Sequence, residues 1–542
     1  MDLKLEKLKN FTPRKGPLLL IIMDGVGLGR QDESNVVFLA KTPCLDKLFK
    51  SRFFTKLSAH GTSVGLPSDE DMGNSEVGHN ALGAGRVFDQ GAKRADSAIA
   101  DRTIFKTAEW QDLSENVKKP GGTFHFIGLL SDGNVHSHIE QLFAMVKRLA
   151  TEGVKRLRIH ALLDGRDVEE KSALIYIDKT EKLLTGINTR KGYDYRIASG
   201  GGRMVTTMDR YNADWDVVKK GWDAHVLGKA REFSSDREAI ETYYKEDPEM
   251  TDQYLDPFVI VRDSKPVGLI EDGDSVVFFN FRGDRAIEIS RAFEEKDFSE
   301  FDRERFPKVY YAGMMQYDGD LHIPKHYLVD PPKIDRTVSE YLCRAGIHMF
   351  AISETQKFGH VTYFWNGNKS GYICRDMEEY VEIPSDKVRF DKAPAMKAPE
   401  ITEKTIELLK SGKFVFGRLN FPNGDMVGHT AEPKAIISAL ETVDSCVRKL
   451  LDVIEELGGV VLITADHGNA DEMFTVLDGK KIPKTAHTLN PVPFIIYDPS
   501  YAGEYKMKPL PKRGLSNVAG TILNLLGFEN VKDYDPSLIE FS

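Results

Sequence analysis

Six residues of this chain are candidate ligands for a cation: Asp24, Asp425, His429, Asp466, His467 and His487. Carboxylate and imidazole without sulfur suit manganese, cobalt, zinc or magnesium, with magnesium the poorest match to the histidines. Asp425 and His429 stand four apart, close enough to share an ion on a turn or helix, whereas the adjacent Asp466 and His467 can diverge towards two ions. Six protein ligands exceed what one catalytic ion with an open position needs, so two divalent ions are expected. Singly these residues have blander readings: Asp24-Gly25 as a turn, His429 as a surface or capping histidine. Asp466-His467-Gly468, directly after Val460–Thr464, is the most specific of them.

Ser75 lies in the small, polar, Gly-bounded segment Met72–His79 and could sit where a loop enters a helix, where backbone N–H groups favour phosphoryl oxygens. A divalent ion on its oxygen would make it a nucleophile without a histidine base. The alternative is that Ser75 N-caps a helix with Glu76 in the first turn. Arginines gather in three polar stretches: Arg166 in DGRD, Arg203 and Arg210 in GGGRMVTTMDR, and Arg282 with Arg285 in FRGDR. Guanidinium forks bind phosphate and carboxylate bidentately, although an isolated arginine is usually a solvated charge. Gly200–Gly202 would let backbone approach a ligand. His136 and Asp167 can move protons on a sugar-acid hydroxyl, and Lys357 can neutralise phosphate.

These residues follow elements able to position them. Leu18–Met23, Phe124–Leu130, Leu157–Leu163, Ser275–Phe281, Lys308–Met315, His348–Ile352, Phe414–Phe421 and Val460–Thr464 read as buried strands. Ile139, Leu142, Phe143, Val146 and Leu149 share one helical face. So do Ile436, Ile437, Leu440, Val443, Val447, Leu450, Leu451 and Ile454, after Pro433. Alternating strands and helices mean α/β architecture with largely parallel sheets, whose ligands bind outside the strands' carboxyl ends.

At 542 residues, two or more domains are expected. A net charge of −10 argues against nucleic acid as partner and leaves room for a small anionic substrate. The longest apolar run near the N-terminus is too short for a membrane span, and no signal peptide is read. Four scattered cysteines, Cys44, Cys343, Cys374 and Cys446, suggest a reducing compartment and no thiolate metal site, hence a cytoplasmic enzyme. Residues 1–16 read as a solvated tail.

The motifs MDG, MGNSEVGH, SDGNVHSH, DGRD, GGGRMVTTMDR, FRGDR, ETQKFGHVT, DMVGHT, TADHGNAD and KTAHT occur in the order of the cofactor-independent phosphoglycerate mutases, a family of the alkaline phosphatase superfamily that this chain resembles from about Leu18 to about Gly527. The resemblance implies interconversion of 3- and 2-phosphoglycerate through a phosphoserine on a two-metal site, without 2,3-bisphosphoglycerate, by a monomer. Ser75 would be the nucleophile. Asp24, Ser75, Asp466 and His467 would hold one ion, most simply manganese with cobalt or magnesium as substitutes, and Asp425, His429 and His487 the other. His136, Arg166, Asp167, Arg203, Arg210, Arg282, Arg285 and Lys357 would bind phosphoglycerate, with Asp167 as acid/base. Departures from the family pattern are Met204 and Val205 in a longer Arg203–Arg210 spacing, Asn423-Gly424 before Asp425, and Gln356 beside Lys357. The metal and nucleophile motifs flank the arginine motifs. The expected fold is therefore an alkaline-phosphatase-like domain of residues 1–88 and 333–542 with a second α/β domain, 89–332, inserted through hinges near Val87–Ala92 and Leu328–Pro332. A hydrolase of the same superfamily, a phosphopentomutase-like enzyme and a metal-stabilised binding protein are the rival readings.

Overall fold

The computed structural model describes residues 3–541 except 67, 119–120, 211–212, 319–320, 331 and 478–479. Contacts divide the chain into two units, Met1–Gln90 with Lys333–Ser542, and Gly91–Pro332. Of the expected hinge Leu328–Pro332, Tyr327–Val329 is a strand and Pro331 lies outside the described residues.

The first unit is built on a seven-stranded sheet in the order Glu378–Ile383, Met349–Glu354, Phe416–Phe421, Leu18–Met23, Val460–Thr464, Val492–Tyr497, Phe54–Leu57. The first five strands run parallel; Val492–Tyr497 pairs antiparallel with both of its neighbours, Val460–Thr464 and Phe54–Leu57. Leu18–Met23 at its centre is buried along its whole length, which is why it reads as an unbroken apolar run rather than an alternating one. The helix Pro433–Leu457 opens with Pro at its first turn and buries Ile436, Leu440, Val443, Val447, Leu450 and Ile454. Ile437, expected on that face, is only half-buried.

The second unit has a nine-stranded sheet. Its central strands Ser275–Phe278, Phe124–Leu129, Arg156–Leu163 and Asp194–Gly202 run parallel. Asp194–Gly202 was not expected as a strand, because its glycine-rich end carries no β-propensity. Ser275–Phe278 stops short of the expected Phe281, where Asn280 turns its side-chain oxygen to the Leu129 amide.

Two expectations are overturned. The N-terminal segment is docked: Leu8 N–H donates to Gly527 O, Phe11 is buried against Tyr505 and Phe541, and Arg14 pairs with Asp498 and Glu504. Cys343 and Cys374 form a disulfide, a pairing hidden by their separation of 31 residues, so the cysteines no longer argue for a reducing compartment. Among the described residues no helix is long and apolar enough to cross a membrane.

Candidate metal centre and arginine cradle

Three neighbouring parallel strands of the first unit end in carboxylates. Asp24 follows Leu18–Met23. Its partner strand on one side, Phe416–Phe421, leads into the short helix Asn423–Gly428 bearing Asp425, and its partner on the other side, Val460–Thr464, leads to Asp466 and His467. Strand register therefore brings together residues more than 400 positions apart. Gly25 makes the approach possible: its φ is +74°, and a Cβ there would lie 2.5 Å from the Asp425 nitrogen. Gly25→Ala is expected to cost about 1–3 kcal/mol through strain and overpacking and to weaken metal binding, which thermal melts and a metal titration would read.

Ser75 is the first residue of the helix Ser75–Ala84 and is buried. It is not the cap. Asn74 is, and its side chain accepts from the Glu76 and Val77 amides, so those N–H groups are already engaged rather than waiting for phosphate. Ser75 Oγ lies 3.0 Å from His467 Nε2 and 3.4 Å from Asp24 Oδ1. Lys357, in the helix Thr355–Gly359 after the strand Met349–Glu354, hydrogen-bonds Ser75 Oγ and places Nζ 2.9 Å from Asp24 and 2.8 Å from Asp425. Lys357 is thus a buried bridge between carboxylates at the Ser75 hydroxyl. His429 Nε2 and His487 Nε2 stand 2.9 and 3.1 Å from Asp425 Oδ1 and 3.2 Å from each other.

The donor chemistry fits metal. His429 Nδ1 meets Thr485 O at 2.6 Å and His487 Nδ1 meets Gly73 O at 2.8 Å. A carbonyl can only accept, so each Nδ1 carries a proton and Nε2 is the nitrogen left facing the cluster, where it would bind an ion. Asp24, Asp466 and His467 form one group of converging ligand atoms, and Asp425, His467 and His487 another. Asp466 and His467 therefore do not simply diverge; His467 faces both groups. Burial alone would raise the Asp425 carboxyl, but Lys357 and His429 outweigh it and hold the group well below the usual carboxylate range. Burial opposes charge on His467 too, yet Asp466 and Asp24 push it up to about 9. Three buried carboxylates facing one ammonium thus draw a proton to the place a cation suits. Sequence reasoning gave no role to two residues here. His79 Nδ1 lies 3.2 Å from Asp466, and Asn420 Nδ2 donates to Asp24 at 2.8 Å. The available signal was the polar Asn420 inside a strand otherwise buried and apolar near its end.

The second unit gathers the arginines. Arg203 Nη1 lies 2.8 Å from Asp164 and pairs also with Asp167. Arg282 Nε donates to Asp284 at 2.9 Å, and Arg210 reaches the other Asp284 oxygen at 3.4 Å. Arg285 Nη1 donates to Met208 O at 2.5 Å, and His136 Nδ1 stands 3.8 Å from Asp284. Arg166 is buried as well, close enough to disfavour charge on Arg285. Asp164 and Asp284 were given no role in the sequence reading, although both belong to its quoted motifs. Five buried guanidiniums against Asp164, Asp167 and Asp284 leave surplus positive charge. Its mark is Arg285, held well below its usual value by burial, then by Arg210 and Arg203. His136 is likewise kept neutral by burial and by Arg203 and Arg282. A small anion would relieve that surplus. Asp284 is held at about 2 because, against burial, Arg282 and Arg210 favour its charge. Its contribution to stability is present above the unfolded value of 3.8 and is lost as pH falls towards about 2. Asp284→Asn is expected to destabilise the protein by about 3–5 kcal/mol, by uncovering buried arginines, and to remove that part of the acid-unfolding transition between pH 4 and 2 (~2 kcal/mol), as urea melts across pH would show.

A family model for the Metalloenzyme superfamily matches residues 16–530. That is the class the metal centre and its sheet define. A 2,3-bisphosphoglycerate-independent phosphoglycerate mutase of Trypanosoma brucei brucei is 51% identical over 552 residues, covering 100% of both chains. That of Ricinus communis is 49% identical, covering 97% of both. The crystal structure of Leishmania mexicana phosphoglycerate mutase at low cobalt concentration superposes with a TM-score of 0.97 at 50% identity, covering 99% of this chain and 100% of that one. The chain belongs to the 2,3-bisphosphoglycerate-independent phosphoglycerate mutases, and its fold is the alkaline-phosphatase-like α/β fold with an inserted α/β subdomain.

Proposed function

We propose that this enzyme interconverts 3-phosphoglycerate and 2-phosphoglycerate through a phosphoserine at Ser75, without 2,3-bisphosphoglycerate. The observation that carries the reading is the Ser75 hydroxyl itself, buried among Asp24, His467 and Lys357 where the two candidate ligand groups meet. Asp24, Ser75, Asp466 and His467 would hold one divalent ion and Asp425, His429 and His487 the other. Bound there, such ions supply Lewis-acid charge for phosphoryl oxygens and lower the pKa of a coordinated hydroxyl. Manganese is the expected metal; the Leishmania relative's crystal structure is one at low cobalt concentration, so both belong in the test.

Ser75 releases its hydroxyl proton to solvent and its Oγ attacks phosphorus in line, the bond from phosphorus to the glycerate 3-oxygen breaks, and Lys357 offsets charge on the phosphoryl oxygens. Asp167, in its protonated form, gives its proton to the departing 3-oxygen and then takes that of the 2-hydroxyl, which attacks phosphoserine; the bond from phosphorus to Ser75 Oγ breaks and Ser75 regains a proton from solvent. His136, Arg166, Arg203, Arg210, Arg282 and Arg285 bind the phosphate and carboxylate of the substrate. Their surplus positive charge supports this role. Water must be kept from the phosphoserine, since its attack would give inorganic phosphate. The test is mutase turnover of 3-phosphoglycerate with no bisphosphoglycerate added, run alongside an assay for released phosphate and elemental analysis of the purified protein. Phosphate as the main product would overturn the mutase reading in favour of a hydrolase.

A further inference from the structure

Within the inserted unit lies a set of buried polar groups that the phosphoryl chemistry does not use. Asp274 precedes the strand Ser275–Phe278. His125 and His160 sit on the neighbouring strands Phe124–Leu129 and Arg156–Leu163, and Ser199 is paired with His160 on Asp194–Gly202. His225 is in the π-helical turn Asp223–Leu227, and Thr207 lies between Arg203 and Arg210. All are buried, the three histidines and Thr207 almost completely. They form one unbroken line. His125 Nε2 is 3.1 Å from Asp274 Oδ2, His125 Nδ1 is 3.0 Å from His160 Nε2, and His160 Nδ1 is 2.7 Å from Ser199 Oγ. Ser199 Oγ is 2.7 Å from His225 Nδ1, and His225 Nε2 is 2.9 Å from Thr207 Oγ1.

The line has only one consistent direction. Asp274 already accepts from the backbone amides of Thr123 and Glu271, so it accepts from His125 as well. Burial pushes all three imidazoles below their usual value, His225 to about 3, so each ring is neutral with one N–H and one bare nitrogen. His125 then donates from Nε2 and accepts at Nδ1. His160 donates from Nε2, Ser199 donates to His160, His225 donates from Nδ1, and Thr207 donates to His225. Reversing any member would set two donors or two lone pairs against each other in the interior.

At the end of this line the backbone is strained. Thr207 has a φ of +69°, and the Met208 amide bonds Thr206 O at 2.8 Å. That is a γ-turn of the positive-φ form, rare for any residue and especially unfavourable for a β-branched one. The helix Trp215–Trp222 packs directly on it, since a Cβ at Gly221 would lie 2.0 Å from Thr207 Oγ1. The next carbonyl, Met208 O, receives Arg285. The turn therefore sets where Arg203, Arg210 and the partner of Arg285 stand relative to one another.

We propose that the Asp274–His125–His160–Ser199–His225–Thr207 line is a positioning relay, in which the one-way order of hydrogen bonds obliges the Thr207 hydroxyl to donate to His225 and so holds the strained turn that spaces the substrate arginines. The proposal rests on the reading of those arginines as the phosphoglycerate cradle. Its members are positioning residues and touch no reacting atom.

Thr207→Val keeps the shape and removes the donor; Thr207→Ser keeps the donor. The valine variant is expected to raise KM for 3-phosphoglycerate roughly tenfold with kcat within about threefold, and the serine variant to restore KM to within about twofold. A valine variant with unchanged KM, or a serine variant as impaired as valine, would overturn the relay. In the unmutated protein, ¹⁵N spectra of labelled histidines should show His225 as the Nδ1–H tautomer and His125 and His160 as Nε2–H tautomers. Any other tautomer, or a charged ring, refutes it whatever the arginines bind. Failure of the cradle reading would show separately, as an Arg203→Met variant with unchanged KM.

Discussion

Ser75→Ala is expected to abolish mutase turnover, a loss of at least about 10⁴-fold in kcat, while leaving the protein folded. The two effects separate because Ser75 is not the helix cap: Asn74 satisfies the first amides, and alanine is a favourable residue inside a helix. The hydroxyl does bond Lys357, but Lys357 keeps Asp24 and Asp425 as partners, so the stability change should stay within about 1 kcal/mol. Initial rates with 3-phosphoglycerate, a thermal melt and mass spectrometry of enzyme quenched in turnover would test this together. The unmutated protein should show a phosphorylated peptide containing Ser75, absent from the variant. Turnover that survives the alanine substitution, or a phosphoryl group found on another residue, would reject the phosphoserine.

Removing divalent metal is expected to silence the enzyme and to destabilise it. Without cations, Asp24, Asp425 and Asp466 face the ammonium of Lys357 and draw a proton onto His467. Metal that binds only the folded protein stabilises it by about 4 kcal/mol when present at a thousandfold its dissociation constant. For a chain of this size that is a fall in melting temperature on the order of 10 °C after chelation. Restoring manganese or cobalt should recover both the melt and the activity, with magnesium a poorer substitute because it prefers oxygen ligands. Full activity in protein shown by elemental analysis to lack divalent metal would dismiss the two-ion centre.

The strands Leu18–Met23 and Val460–Thr464 were legible to the residue because sheet positions buried on both faces leave an unbroken apolar signature. The polar residues following such strands were legible as candidates for the same reason: a charged side chain next to a fully buried strand must be at its end. Asp194–Gly202 was not legible, since glycine in a strand has no side chain to report its burial. The docked N-terminal segment was missed because Phe11 finds its pocket against Tyr505 and Phe541, some 500 positions away. Asp164 and Asp284 were given no role because a carboxylate that anchors an arginine looks no different, in sequence, from one in a turn.

The order of residues by itself determined which chemistry is available: oxygen and imidazole ligands without thiolate, a serine among glycines, and arginines at strand ends. It also determined the α/β class, since local periodicity follows from local burial. Only the tertiary structure decided which of those groups meet. Pairing of Leu18–Met23 with Phe416–Phe421 and Val460–Thr464 puts Asp24 beside Asp425 and Asp466, turns Lys357 into a bridge at Ser75, and lets His467 face both ligand groups. Strand order is set by contacts between segments hundreds of residues apart, and no local pattern along the chain encodes it.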